Sequence, residues 1–205
     1  SADGPGNIYN GVAVVTNPGA KGKGTLVVLN DEIHYARNVV KTNTTTVQTF
    51  VSINRGPAGV VNTGKIQWFE PMDRKVGPAT GFSVDALDKL PRVDVIYAHA
   101  NMSADLIDAA IKNGAKGLVI AGVGDGNMTT PALDAVTRAA KSGIVVVRST
   151  RLASGITLRN NEVNDDEKGL VASGELNPAK SRVLLQLALT KTNDPVQIQK
   201  MFYEY

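Results

Sequence analysis

The segment Gly122–Asn127 has the composition of a ligand-binding loop, because glycine alternates with Val123, Asp125 and Asn127 directly after an apolar run. Glycine-rich loops that lead into a helix can hold phosphates. The spacing is Gly-x-Gly-x-Gly instead of the dinucleotide pattern Gly-x-Gly-x-x-Gly, and the next apolar run ends in Arg148, with no acid for an NAD ribose. Arg148 could pair with a 2′-phosphate, so NADP binding stays as a minor hypothesis beside the commoner tight turn before a helix.

Lys41 and Glu162 are the other polar candidates. Lys41 stands in a threonine-rich run, and Glu162 stands in an acidic, polar run from Asn160 to Lys168. By residue type alone, both fit solvated surface positions. His34 and His99 lack partners at the spacing of a metal site or a serine hydrolase, and the chain has no cysteine, so structural histidines and no metal site are expected. Residue chemistry alone therefore predicts a protein that binds a small polar ligand.

Composition argues against several functional classes. Of the 205 residues, 42% are hydrophobic and 20% are charged, as in ordinary globular proteins. The net charge of +3 and the low aromatic content, without a basic-aromatic stripe, argue against nucleic-acid binding. No apolar run reaches the roughly 18 residues of a membrane helix, and the first residues lack the pattern of a signal peptide. Because no initiator Met is present, we expect the numbering to start within a longer chain.

The first 70 residues predict a helix followed by short strands. Asp3 fits an N-cap, and Pro5 suits the first turn of a helix that continues to Val15. The apolar run Thr25–Leu29 predicts a strand buried on both faces. Residues 60–69 predict a hairpin. These elements resemble the rear part of an α/β domain.

Beyond a stretch rich in proline and glycine, strands and helices alternate. The predicted strands cover residues 93–97, 117–121 and 144–147, and the predicted helices cover 103–113, 130–142, 177–190 and 194–205. This alternation predicts a parallel sheet covered on both faces, with ligands beyond the carboxyl ends of its strands. The fold class is therefore α/β: the rear part of an N-terminal α/β domain over 1–70, a linker over 71–91 and a small parallel-sheet α/β domain over 92–205.

Eight segments, in order along the whole chain, closely resemble those of type II bacterial L-asparaginases and glutaminase-asparaginases. They are Ser1–Pro5, Val28–Glu32, Lys41–Thr45, Leu90–Asp94, Ala121–Gly124, Val147–Ser149, Leu176–Pro178 and Arg182–Thr190. The resemblance is to the C-terminal part of the family chain. It implies hydrolysis of the side-chain amide of L-asparagine, with L-glutamine as a second possible substrate, to the acid and ammonia, without a cofactor.

The resemblance also implies roles for three residues. Family members use a threonine as the nucleophile, and a second threonine with an aspartate and a lysine for proton transfer. The lysine matches Lys41, whereas the nucleophile has no counterpart in these 205 residues. A buried ammonium beside an aspartate keeps that acid ionised and helps to deprotonate a hydroxyl. The substrate contacts from a neighbouring subunit match Asn127 and Glu162, and the Glu162 carboxylate would pair with the substrate's α-ammonium.

Since Asn127 and Glu162 would complete another subunit's site, the resemblance implies a homo-oligomer, a tetramer with shared active sites, exported to the periplasm. Asp125 departs from the family pattern, in which Asn or Ala is usual, and its charge is expected to lower the affinity for the substrate carboxylate. The alternative is a catalytically incomplete fragment that acts as an oligomerisation or amino-acid-binding module.

Overall fold

The computed structural model describes residues 3–69 and 71–205, which form two compact units. The first unit ends at Gly81 and the second begins at Phe82. Each unit has its own sheet and its own apolar core. No helix in the described part of the chain is both long and apolar enough to cross a bilayer. The linker over residues 71–91 stays a prediction.

The first unit begins with helix α1, Gly4–Thr16, as predicted. Pro5 lies in its first turn, where a missing N–H removes no helical hydrogen bond. Asp3 lies at the N-cap position but caps no backbone N–H, and its carboxylate accepts a hydrogen bond of 2.8 Å from the Asn7 side chain. The helix packs through Asn10 and Val14, and its outer face exposes Ile8, Tyr9, Val12 and Val15.

The first unit contains short antiparallel strands. They are β1 (Leu26–Leu29), β2 (Glu32–Tyr35), β3 (Val40–Lys41), β4 (Phe50–Val51), β5 (Gly59–Asn62) and β6 (Lys65–Trp68). Four of them form a sheet in the order β1-β2-β5-β6, and β3 pairs with β4 separately. The predicted hairpin is confirmed as β5 and β6. The prediction that residues 25–29 are buried on both faces is wrong: β1 is half-buried throughout, because among the described residues it lies at the edge of the sheet and pairs only with β2.

A buried histidine lies in this unit. His34 is 1% exposed, its Nδ1 lies 2.9 Å from the Ser52 hydroxyl, and its Nε2 lies 3.2 Å from the Glu32 carboxylate without the alignment of a hydrogen bond. Ser52 is itself buried. Because both His34 and Ser52 are buried, the Ser52 hydroxyl is not a nucleophile open to a substrate.

We expect the stability of the first unit to fall as the pH drops below about 6.5. Burial lowers the pKa of His34 from its ordinary 6.5, and the Glu32 carboxylate only partly opposes this shift. At a pH between the folded-state and the unfolded-state pKa of His34, the unfolded chain binds a proton that the folded chain does not bind. The stabilisation present above pH 6.5 is therefore lost as the pH falls through the folded-state pKa. Urea unfolding, followed by the fluorescence of the single tryptophan, Trp68, measures this loss.

The matched variant is His34→Gln, whose side chain does not titrate in this range. Its unfolding free energy should depend less steeply on pH between about 7 and about 5 than that of the unaltered chain. Equal slopes in the two proteins would show that His34 does not cause the pH dependence.

The second unit contains a four-stranded parallel sheet, which confirms the predicted α/β class. Its strands are β7 (Val93–Tyr97), β8 (Gly117–Gly122), β9 (Val145–Thr150) and β10 (Val171–Ala172), in the order β10-β9-β8-β7. The sequence pattern does not predict β10. Its outer edge is covered by the side chain of Gln199, which donates to the Ala172 carbonyl at 3.1 Å and accepts from the Ala172 N–H at 2.8 Å.

Helices cover both faces of this sheet. They are α2 (Asp105–Lys112), α3 (Thr130–Lys141), α4 (Asp165–Lys168), α5 (Pro178–Ala188) and α6 (Pro195–Glu204). Leu118 and Ile120 of β8 share a core with α2 and α3, whereas Val119 shares the opposite core with α5 and α6. This division follows from the alternation of side chains along a strand. On α2 the side chains of Ile107 and Ala110 are buried, whereas that of Leu106 is exposed.

Candidate functional site

Two loops meet at the carboxyl edge of the parallel sheet. One follows β8 and covers residues 123–129, and the other follows β9 and covers residues 151–164. Because β8 and β9 are neighbouring parallel strands, their carboxyl ends lie side by side. Ligands of open α/β sheets bind at such an edge. The two loops carry Asn127 and Glu162.

The first loop is a closed turn that requires glycine. Val123 and Asn127 exchange two backbone hydrogen bonds of 2.8 Å each. A Cβ placed on Gly122 would lie 2.4 Å from the backbone carbonyl carbon of Gly126, and one placed on Gly126 would lie 2.9 Å from the Arg148 guanidinium. The glycines therefore bring two stretches of backbone together. This geometry matches the tight turn and not a phosphate-binding loop.

Arg148 is fully buried beneath the two loops. Its guanidinium makes a bidentate ion pair with the buried Asp165, with distances of 2.6 and 2.7 Å. It also donates to the backbone carbonyls of Asp125 at 2.8 Å, Gly126 at 3.3 Å and Leu158 at 3.0 Å. These contacts use all five guanidinium N–H donors. Arg148 thus links the glycine loop to the second loop through hydrogen bonds to the backbone of both.

The NADP hypothesis is overturned by the burial of Arg148. Its side chain is 0% exposed, and Asp165 already occupies the bidentate face that would bind a 2′-phosphate. The Arg148 guanidinium at the end of β9 therefore has a structural role.

The side chain of Asp125, in the first loop, forms hydrogen bonds with the second loop. Its Oδ1 accepts a hydrogen bond of 2.7 Å from the backbone N–H of Leu158, and its Oδ2 accepts one of 2.7 Å from the Asn161 side chain. Both carboxylate oxygens are therefore engaged within the chain. The effect of its charge on the affinity for the substrate carboxylate stays a prediction.

Asn127 and Glu162 are brought into contact by these loops. The Asn127 side-chain amide donates to the Glu162 carboxylate across 3.3 Å, although the residues are 35 positions apart in sequence. Both side chains are exposed. Together they present one amide and one carboxylate to solvent, which are groups that can bind the polar ends of an amino acid.

Lys41 lies in the first unit, on β3 opposite Phe50. Its side chain is exposed, and its Nζ lies 5.9 Å from the centre of the Phe50 ring. Within residues 3–69 and 71–205 it forms no ion pair, so the expected burial beside an aspartate is not present in this part of the chain. The next residues form a compact turn in which Thr42 and Thr49 share two hydrogen bonds, of 2.7 and 2.9 Å.

A hollow of about 700 Å³ in the first unit lies between α1 and β1. Val14, Val15, Leu26 and Val28 line it, and among the described residues Lys21 is its one ionisable lining residue. It therefore lacks an acid–base pair. Nowhere in the described parts of the chain do three or more His, Asp or Glu residues group together as metal ligands.

The sequence matches two family models that agree with the two units. Residues 1–74 match "Asparaginase, N-terminal", and residues 92–202 match "Glutaminase/Asparaginase C-terminal domain". The second match alone covers more than half of the chain. The chain belongs to the glutaminase/asparaginase family. The resemblance of its motifs to this family is thereby confirmed.

Relatives in this family are similar along the whole chain. L-asparaginase 2 of Bacillus subtilis is 52% identical over 205 residues, and the probable periplasmic L-asparaginase of Haemophilus influenzae is 47% identical over 205 residues. The glutaminase-asparaginase of Acinetobacter glutaminasificans is 40% identical over 208 residues. All of this chain is covered in each case, but only 54%, 59% and 62% of these relatives, respectively. The chain thus spans a little more than half the length of the family members that it matches.

The sequence patterns do not predict the network beneath Asn127 and Glu162. Arg148, Asp165 and Asp125 each look like ordinary surface charges by residue type. One signal was available: Arg148 continues an otherwise apolar run, and a charge at a buried strand position requires a partner. That signal indicates a buried ion pair but does not identify Asp165.

Proposed function

We propose that the protein to which this chain belongs hydrolyses the side-chain amide of L-asparagine to L-aspartate and ammonia, with L-glutamine as the alternative substrate to be tested. The observation that carries the proposal is the contact between Asn127 and Glu162, in a chain of this family. In the proposed site the Glu162 carboxylate binds the substrate's α-ammonium, which selects free amino acids. The names of the relatives, L-asparaginase and glutaminase-asparaginase, support the same reaction.

The proposed reaction uses a threonine outside these 205 residues. Its hydroxyl attacks the amide carbon, the amide nitrogen takes up a proton and leaves as ammonia, and water then hydrolyses the acyl-enzyme ester. Lys41 keeps a neighbouring carboxylate ionised and so promotes loss of the hydroxyl proton. The role of Lys41 rests on the resemblance of residues 41–45, and its exposed ammonium is available for such a partner.

The proposal includes assembly into a tetramer in which Asn127 and Glu162 complete the site of a neighbouring copy. Both residues are exposed, as this role requires. Their two loops also expose apolar side chains of the kind that subunit interfaces bury: Val123, Leu152, Ile156 and Leu158. A periplasmic location is proposed from the name of the Haemophilus influenzae relative. Sedimentation of the full-length protein tests the assembly.

Glu162→Ala should raise the KM of the full-length protein for L-asparagine by about tenfold or more, because a charge-assisted hydrogen bond to the substrate is lost. The kcat should change less, since the α-ammonium lies away from the reacting amide. Steady-state ammonia release measures both constants.

Glu167→Ala, which removes an exposed acid of α4, is the matched control and should behave like the unaltered protein. An unchanged KM in Glu162→Ala would remove Glu162 from the site. If the unaltered full-length protein releases no ammonia from L-asparagine or L-glutamine, the proposed reaction is wrong and an amino-acid-binding or oligomerisation module is favoured.

A further inference from the structure

Asp125 connects the two site loops through both oxygens of its carboxylate, at 2.7 Å to the Leu158 N–H and 2.7 Å to the Asn161 side chain. We propose that Asp125 is a positioning residue that sets the place of Glu162 relative to Asn127 for substrate capture. This proposal rests on the proposed function and adds to it a residue that determines substrate affinity without touching the substrate.

Few contacts of its own hold Glu162. Within the described residues its side chain makes one hydrogen bond, to Asn127, and at 3.3 Å this is longer than the usual 2.7–2.9 Å of charge-assisted bonds. Asn161 directly precedes Glu162, so the bond from Asn161 to Asp125 restrains the backbone that carries Glu162. Asp125 is also only two residues before Asn127. The hydrogen bonds of Asp125 therefore fix the position of the second loop, with Glu162, relative to the first loop, with Asn127.

The negative charge of Asp125 suggests a second explanation, attraction of the substrate's ammonium. Arg148 binds the backbone carbonyl of Asp125 and not its carboxylate, and no ion pair to that carboxylate occurs in residues 3–69 and 71–205. The geometry favours positioning over attraction, because each carboxylate oxygen accepts a short hydrogen bond from the second loop. The two explanations make different predictions for two substitutions.

Asp125→Ala removes both hydrogen bonds and the charge. Asp125→Asn removes the charge but keeps an oxygen that can accept from the Leu158 N–H. Its new NH₂ group can donate to the side-chain oxygen of Asn161 after that amide rotates. Asparagine therefore preserves the link between the loops without its charge.

We expect Asp125→Ala to raise the KM for L-asparagine of the full-length protein by about tenfold, the effect of losing two hydrogen bonds that orient the site, with kcat within about twofold. Asp125→Asn should restore most of the affinity. Hydrogen exchange at the Leu158 amide should become faster by about tenfold in Asp125→Ala and not in Asp125→Asn. Asp134→Ala, which removes an exposed acid on α3, is the control and should leave both measurements unchanged.

Equal losses of affinity in Asp125→Ala and Asp125→Asn would overturn the proposal and assign Asp125 an electrostatic role. An unchanged KM in Asp125→Ala would overturn it as well. Exchange at Leu158 is measured without turnover, so it separates this proposal from the proposed function. If the unaltered protein shows no activity, the proposed function is wrong. Unchanged hydrogen exchange at Leu158 in Asp125→Ala would instead overturn the positioning role of Asp125, because the link between the loops would then have no structural effect.

Discussion

Asp165→Ala is expected to lower the unfolding free energy of the second unit by about 3–5 kcal/mol, because it leaves the charge of a fully buried arginine without its partner. Asp165 and Arg148 are both 0% exposed, so water cannot replace the missing carboxylate without opening the structure. Asp165 also accepts a hydrogen bond of 2.8 Å from the Asn160 backbone, and this restraint on the second loop is lost with it.

Urea unfolding followed by far-UV circular dichroism measures the change, and Trp68 fluorescence reports the first unit separately, because the chain has no other tryptophan. Asp134→Ala, at an exposed site, controls for the loss of a carboxylate and should fall within about 0.5 kcal/mol of the unaltered chain. A loss of less than about 1 kcal/mol in Asp165→Ala would mean that the ion pair does not support the unit.

Lys41→Met is expected to reduce the turnover of L-asparagine by the full-length protein by about two to four orders of magnitude, the range for loss of a group that assists proton transfer. The effect should fall on kcat, since Lys41 is proposed to act on the nucleophile's proton and not on substrate binding. Stability should change little, because the side chain is exposed and forms no ion pair within the described residues.

Lys65→Met is the matched control, as Lys65 is an exposed lysine on β6 of the same unit. Thermal unfolding of both variants distinguishes a loss of activity from a loss of folding. Ammonia release by Lys41→Met at the rate of the unaltered protein would contradict the proposed proton-transfer role.

The parallel sheet could be predicted because its signals are local. The run Gly117–Ala121 is apolar at every position, as a strand covered by helices on both faces must be. The element β10 could not be predicted, since two residues display no periodicity and its place depends on Gln199, far along the chain. β1 was predicted as a strand but with the wrong burial, because the same apolar run suits a central strand or an edge strand that is half-covered.

Of the candidate site, the sequence predicts only the residues that are proposed to bind the substrate. Asn127 and Glu162 follow from the motif resemblance, and their contact follows from neighbouring parallel strands. The supporting roles of Arg148, Asp165 and Asp125 could not be predicted. They rest on contacts between residues that are far apart in the sequence and meet only in the folded structure. Sequence patterns record local periodicity and cannot identify such partners.

The close approach of Gly122 and Gly126 limits how this protein can diversify. A side chain at either position would run into neighbouring atoms, and Gly124, although it faces open space, has a φ of 54° that few residues other than glycine tolerate. Val123, Asp125 and Asn127 are the positions of this loop where another side chain meets neither this clash nor this strain, and two of them are proposed to bind or position the substrate. Natural drift or a mutant library aimed at a new substrate preference would therefore find its accessible changes at every second residue of this loop.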